Sequence, residues 1–561
     1  MKKDQLRSIL TICLAVLVAV NAEALTEKQK EARDEVFKAV KEKKIQSSDI
    51  SSYISEAYAS DAKASAVIEK LSKMKKMISL RSTVGFRGDG NGMFPDATPP
   101  TEWEMNAAGR KKNIIWQTPL PSASPSSAIV VGPNVYSCGG NWDLICVDKK
   151  SGKIKWVKPF GPFEISTKEE RAKNKKIEEL GAEKDKILKE YPTMSNDAIN
   201  GIGITRNKIE NELHSELIKA DPKKYGLTQQ DFAYSNTTPA SDGVNIYVWN
   251  ALGIAACFTP EGEINWIVQN KGPEMHHGYH SSPVVIDGKV IVFMTNYMAL
   301  DAKDGKKLWE APAGGGTHLI ASTSVPLKIG GEWCLINGSA GIMRASDGKV
   351  IVQPAYKGFS ASHFASAAYG NGFVAMLGGQ SWSNSNILYI YKLPSSASGA
   401  ANTSYKIFPF CKEAKPSTPS DESFLSSPVI KDGLLYFVFN RGDFFCFDLE
   451  SGKYIYNVML DEDDVVLDKQ RPYRSGILAP IALANNLIYV TSNQGTTFVI
   501  KPGKQYKLLA KNTIMQLVER GYMKNVVEGY ISSPFFEGNH IFYRGERYMY
   551  CIGEPGKPFL E

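Results

Sequence analysis

Residues 281–294 read Ser281-Ser282-Pro283-Val284-Val285-Ile286-Asp287-Gly288-Lys289-Val290-Ile291-Val292-Phe293-Met294. Met298-Ala299-Leu300-Asp301, the turn Asp304-Gly305-Lys306 and Trp309 follow. Two β-rich runs on either side of Asp-Gly spell a tight hairpin, because that dipeptide accepts the positive φ that such turns require. A third run ends in a small residue and Asp, and the Asp-Gly-Lys turn leads into a fourth run carrying the Trp. Four short strands joined by hairpin turns predict one antiparallel sheet.

The unit recurs along the chain. Ser-Ser-Pro returns at Ser426-Ser427-Pro428 and Ser532-Ser533-Pro534. The turn before the fourth strand returns at Ser151-Gly152-Lys153, Glu261-Gly262-Glu263, Asp347-Gly348-Lys349, Ser451-Gly452-Lys453 and Pro502-Gly503-Lys504. Trp156 and Trp266 stand where Trp309 stands, each at the same distance past its turn glycine. First strands start near residues 126, 237, 281, 324, 365, 426, 478 and 532, and the unit at 361–410 is the most degenerate. A four-stranded unit of this length, repeated in tandem, is the signature of a propeller. The last unit stops after its third strand, Tyr548-Met549-Tyr550-Cys551-Ile552, while Asn113-Ile114-Ile115-Trp116-Gln117 precedes the first unit as an orphan. Closing the ring with that orphan predicts Trp116 beside residues 548–552 and covers an open edge. The fold class is therefore all-β: an eight-bladed β-propeller closed by an N-terminal strand, with an N-terminal helical segment and a helical insertion.

The Ser-Ser-Pro start, the Ser/Asp-Gly-Lys turn and the Trp beyond it resemble the pyrroloquinoline-quinone-like, or quinoprotein alcohol dehydrogenase-like, propeller repeats over 113–555. Residues 86–103, from Phe86-Arg87-Gly88 to Pro100-Thr101-Glu102-Trp103, resemble the lead-in segment of large exported bacterial proteins of this class. The resemblance implies a fold more than a function, because one scaffold hosts unrelated roles. Its members include quinone-dependent dehydrogenases and a non-catalytic propeller of the outer-membrane assembly machine.

Outside the repeats the chain changes character. Lys2, Lys3 and Arg7 precede an apolar run from Ile9 to Val20, and Asn21-Ala22-Glu23-Ala24 ends it with small residues. That run is too short to span a bilayer and suits a signal peptide over 1–24 that leaves a mature chain from Leu25. Residues 25–82 read as helical, with Ser48-Asp49 and Ser60-Asp61 placed as N-caps. Residues 83–112 are a Gly- and Pro-rich linker containing Arg87-Gly88-Asp89, an adhesion tripeptide taken here as a chance match. The propeller occupies 113–561, interrupted at 164–232 by a charged, helix-prone insertion that reads as a solvated excursion or as a partner-docking arm. The formal charge of +7 over 561 residues comes from interspersed signs, and no basic stripe interleaved with aromatics points to nucleic acid. No other stretch is apolar enough to span a membrane. Export, to the periplasm or beyond, follows, with a monomer expected.

Chemistry has few places to reside. Catalytic quinone propellers resemble one another in an adjacent Cys-Cys pair, and this chain has none; nor does it have a Cys-x-x-Cys-His haem motif or Gly-x-Ser-x-Gly. Cys146, Cys257, Cys446 and Cys551 occupy the third-strand position of Ala299, where close blade packing calls for a small side chain. Cys138, Cys334 and Cys411 complete an odd set beyond the apolar run, which argues against a disulfide framework. The histidines form the one constellation: His276, His277 and His280, then His318, then His363, all between a fourth strand and the next first strand, with Glu274 nearby. Those connections ring the channel mouth, and imidazoles with a carboxylate suit a transition metal or, when protonated, an anionic ligand. Channel-mouth histidines bonded to backbone are the plainer reading. The expected function is a non-catalytic binding or scaffolding module for a protein or small ligand at the loop face, with no cofactor. The alternative is an oxidoreductase using pyrroloquinoline quinone or a metal at the channel mouth.

Overall fold

The computed structural model describes residues 25–41, 50–80, 84–226, 236–270, 281–312, 322–338, 341–353, 365–378, 387–398, 405–409, 426–461, 465, 476–520 and 523–560. The chain divides into two units, Met1–Ser82 and Thr83–Glu561. The first contains helices Glu27–Lys41, Ile50–Tyr58 and Asp61–Leu80. Ala32, Val36, Ile54, Ala57, Ala64, Val67 and Leu71 form its core, and the small residues among them let the helices approach closely. Ser60 caps the third helix, its Oγ accepting from the Lys63 N–H at 3.2 Å. Ser48 and Asp49 lie outside the described residues, as do 1–24. Among the described residues no helix is long and apolar enough to cross a membrane.

The second unit is mostly β and propeller-like, a succession of small antiparallel sheets. Among its described residues there are eight sheets with a four-stranded core, numbered here in chain order by their first strands. Those first strands are Ile129–Val131, Ala240–Ser241, Val284–Ile286, Val325–Ile329, Ala368–Gly370, Val429–Lys431, Ala482–Ala484 and Phe535–Glu537. Sheet 8 takes its fourth strand from Ile114–Pro119, which runs antiparallel to Tyr548–Ile552 with Trp116 opposite Cys551. Sheet 7 is widened to seven strands, because Met93–Phe94 pairs in parallel with its first strand, Glu104–Met105 in parallel with its fourth, and Lys111–Lys112 antiparallel with Glu104–Met105.

Two sets of contacts recur at the seams. The first comes from the Ser/Thr before each first strand. The backbone N–H of Ser533 donates to Ser127 Oγ, Ser127 to Thr238, Thr238 to Ser282, Ser282 to Thr323, Thr323 to Ser366, and Ser366 to Ser427, at 2.9 to 3.1 Å. Ser127, Thr238, Ser282, Thr323 and Ser366 are thus each both acceptor and donor, which satisfies buried backbone without a sheet partner. Sheet 7 carries Pro480 at this position and has neither the N–H nor the hydroxyl. The series also aligns the fourth unit on Ser322-Thr323, two residues earlier than the start at 324 read from the sequence.

The second set joins each Trp to the next sheet. Trp116, Trp156, Trp266 and Trp309 donate their indole N–H to the carbonyls of Lys149, Pro260, Ala302 and Ala345 at 2.9 to 3.2 Å. Each indole lies over the turn glycine of that next sheet. A Cβ on Gly152, Gly262, Gly305 or Gly348 would come within 2.6, 2.9, 2.7 and 2.8 Å of the ring, and all four have φ between 73° and 86°. Glycine is required there twice over, by backbone conformation and by close approach.

Candidate functional site

His276, His277, His280, His318, His363 and Glu274 all lie outside the described residues, in the connections over 271–280, 313–321 and 354–364. Among the described residues no group of three or more His, Cys, Asp or Glu is arranged to hold a metal ion. The described cysteines are buried free thiols. Cys146 lies opposite Tyr136 and Trp156, and Cys257 opposite Tyr247 and Trp266, so each thiol is walled in by rings. Burial pushes the Cys146 thiol up to about 12 and those of Cys257, Cys334 and Cys446 to about 11, far from the thiolate that a nucleophile needs. Among the described residues no two cysteines adjoin, so the adjacent pair that the resemblance associates with a quinone has no counterpart there.

The segment leading into the first sheet runs along the inner strands of the others. Arg87, 1% exposed, donates from Nη2 to the carbonyls of Pro428 at 2.6 Å and Ile481 at 3.3 Å. It therefore bridges equivalent positions of sheets 6 and 7, beside the gap that Pro480 leaves in the hydroxyl series. Burial lowers the Arg87 guanidinium to about 10, with Asp89 acting against that shift. The Asn91 carboxamide takes both the N–H and the C=O of Tyr369, at 3.0 and 2.8 Å, as a neighbouring strand would. Phe94 packs on Phe535 and Phe536. With its arginine enclosed, Arg87-Gly88-Asp89 cannot present itself to a receptor, and the tripeptide is structural.

The helical insertion is built onto sheet 1. Helices Lys175–Glu190 and Asn196–Ala220 start at the caps Asn174 and Ser195, and a capping box of Thr167 and Glu170 opens the short helix before them. Ile177, Leu180, Ile187, Ile209, Leu213 and Leu217 enter the same core as the strands of sheet 1. Over that apolar contact lies a buried charge cluster. Arg206 reaches Asp143 at 2.5 Å and Glu210 at 3.3 Å, and Lys184 pairs with Glu164. Burial raises Glu210 to about 7, against the pull of Lys184 and Arg206. Such a network adds little net stability, and its effect is to set how the helices sit on the sheet. Trp142, edge-on to His214 at 5.6 Å, completes the contact.

A second buried cluster lies at the seam of sheets 8 and 1. Arg544 donates to Ser137 Oγ and the Cys138 carbonyl at 2.5 Å and to the Ser122 carbonyl at 3.1 Å. Glu528 follows the hairpin Leu517–Arg520/Met523–Val527, which connects sheets 7 and 8. Its carboxyl accepts from the Tyr550 hydroxyl at 2.6 Å, the Tyr548 N–H at 2.7 Å and the Arg547 N–H. Burial raises it to about 7 although all of these donors oppose the shift. Every oxygen is engaged by backbone or tyrosine, so the group anchors the hairpin. Sequence reasoning missed both clusters. The Arg206/Glu210 spacing is visible, but reads as a surface pair, and nothing local points to Asp143 or Arg544.

Residues 217–370 match the family model described as outer membrane protein assembly factor BamB. A search of curated proteins by sequence finds no match. Among solved structures, BamB from Moraxella catarrhalis is similar at 13% identity and a TM-score of 0.32, over 56% of this chain and 93% of its own. Quinohemoprotein alcohol dehydrogenase from Comamonas testosteroni is similar at 11% identity and 0.47, over 79% and 77%. Sqt1 from Saccharomyces cerevisiae is similar at 9% and 0.45, over 79% and 100%. Over residues 217–370 the chain is similar to pyrroloquinoline-quinone-like β-propeller repeats, in line with its recurrent Ser-Ser-Pro starts and its serial four-stranded sheets.

Proposed function

We propose that this chain is an exported, non-catalytic propeller that binds a protein or a small ligand through the face carrying its long connections. In this reading residues 1–24 are removed and the mature chain works as a monomer in the periplasm or outside the cell. The strand Ile114–Pro119 closes an eight-bladed ring. The series of sheets, the pairing of Trp116 with Cys551 and the bond from Ser533 back to Ser127 support a closed ring. The observation that carries the functional reading is the insertion. A large helical excursion is seated on sheet 1 by buried charges, which holds a shaped, solvent-facing surface at one place on a rigid frame. The thiols and the buried carboxyls, by contrast, are spent on packing and anchoring. His276, His277, His280, His318 and His363, outside the described residues, stay candidates for ligand contact in this reading.

Native mass spectrometry of the chain purified from its own cell envelope tests this. A stoichiometric protein partner, lost on replacing exposed residues of the insertion, is the expected result. A quinone or redox metal at full occupancy would overturn it in favour of the oxidoreductase.

A further inference from the structure

Past the third strand of sheet 8 the chain turns back over that sheet. Glu554-Pro555-Gly556-Lys557 makes the turn, with Pro and Gly at its two central positions. Gly556 has φ 83°, and the Lys557 N–H donates to the Glu554 carbonyl at 3.2 Å. Phe559 then stacks on the His540 imidazole, the ring centroids 3.9 Å apart and the planes 5° from parallel. Leu560 covers Gly538, where a Cβ would come within 2.9 Å of the leucine side chain. Its carbonyl accepts from Lys149 Nζ of sheet 1 at 2.7 Å. Residues 554–558 are exposed, so the stretch is a strap fastened by one stacked ring, one leucine and one ammonium.

The fastening works only with a neutral imidazole. His540 starts the strand His540–Arg544 and is 1% exposed. Gly553 closes in on the ring edge, where a Cβ would lie 2.5 Å away. Among the described residues neither ring nitrogen has a hydrogen-bond partner. The cation beside it is Lys149, itself buried. Glu537, opposite His540 across the first two strands, is already engaged by Lys149 at 2.8 Å. The third strand brings the Cys551 thiol, which burial keeps protonated. On the strap, Glu554 and Lys557 pair with each other at 3.7 Å in solvent. A proton on the imidazole would therefore meet a second cation and, among the described residues, no uncommitted carboxylate. Burial, reinforced by Lys149, holds His540 down at about 4.

We propose that residues 554–560 form a pH-sensitive strap, seated on sheet 8 while His540 is neutral and released when the imidazole takes up a proton. With the strap lifted, Phe559 no longer seals the ring, and the imidazole returns toward its ordinary value of 6.5. The lifted form thus binds the proton more tightly. Seating is complete above about pH 6.5 and weakens as pH falls toward 4, about tenfold for each pH unit in that window. Acid then uncovers the His540 face of the sheet that Ile114–Pro119 completes. The device is independent of what the propeller binds.

The test is a nitroxide spin label on Lys557→Cys, an exposed strap position, in the mature chain. Cys411→Ser removes the one mature thiol outside the described residues, and the described thiols are buried. The label should be immobile at pH 7.5, and a mobile component should grow between pH 6.5 and 4 while the far-ultraviolet circular dichroism stays constant. His540→Gln should abolish that pH response, and Phe559→Ala should free the label at both ends of the range. Because Phe559 lies on the strap, its variant tests the proposal even where His540→Gln does not fold. A label equally immobile at both ends, a response that survives His540→Gln, a strap still fixed in Phe559→Ala, or a mobile component that tracks loss of the whole fold overturns it.

Discussion

The seams from sheet 8 through sheets 1, 2 and 3 into sheet 4 are made differently from those between sheets 4 and 8. In the first arc each fourth strand carries a Trp that bonds to the next sheet and covers its turn glycine. In the second arc the corresponding positions hold other residues, such as Tyr456 opposite Cys446 and Ala510 opposite Val499. Tyr436 substitutes in part, its hydroxyl accepting from the Gly503 N–H at 2.7 Å. The second arc is also where Pro480 interrupts the hydroxyl series, and where Arg87 and Asn91 enter from outside the repeats to bond sheets 5, 6 and 7. A repeat can therefore carry its own joint, or lose it and have it replaced by a segment far away in sequence. The first kind of joint is local and modular, whereas the second makes three sheets depend on one stretch of chain.

That contrast can be broken most directly at Trp266. Trp266→Ala should cost about 4 kcal/mol, because it empties a buried indole site and orphans the Ala302 carbonyl. Gly305→Ala should be non-additive with it by more than about 0.5 kcal/mol, since the two residues share one contact. Urea titrations of the single and double variants give the coupling; strict additivity would mean the Trp–Gly joint is not a unit.

Arg87→Ala should cost less, about 2 kcal/mol, because the lost bonds to the Pro428 and Ile481 carbonyls are offset by no longer burying a charge. Its effect should be spatially confined. Hydrogen exchange should speed up in sheets 6 and 7 and stay unchanged in sheets 1 to 3. Uniform loss of protection would erase the distinction between the two arcs. The smallest effect belongs to Ser282→Ala, at about 1 kcal/mol for one unpaired Thr238 N–H, readable as a small fall in the urea midpoint.

Much of this architecture was legible because hairpin chemistry is local. Asp287-Gly288 and Asp304-Gly305 need nothing beyond their own residues to turn the chain, so strands and turns could be placed from the text alone. The turn glycines and the tryptophans were both visible. That they meet across a seam was not, because the contact joins the Trp of one unit to the Gly of the next. The unit that starts at Ser322 lies two residues before the 324 read from the sequence, because the run Ser322-Thr323-Ser324 offers a hydroxyl at each position and no local mark of which one enters the series.

The sequence by itself determined the repeat, the four strands of each unit, the small third-strand residue and the odd strand with its own Trp ahead of the first unit. Those are properties of side-chain periodicity and turn conformation, which act over a few residues. Only the tertiary structure decided that Arg87 spans the gap at Pro480 and that Arg206 is buried on Asp143. Each of these depends on desolvating a charge between segments tens to hundreds of residues apart. No local pattern encodes the separation that packing brings to contact distance.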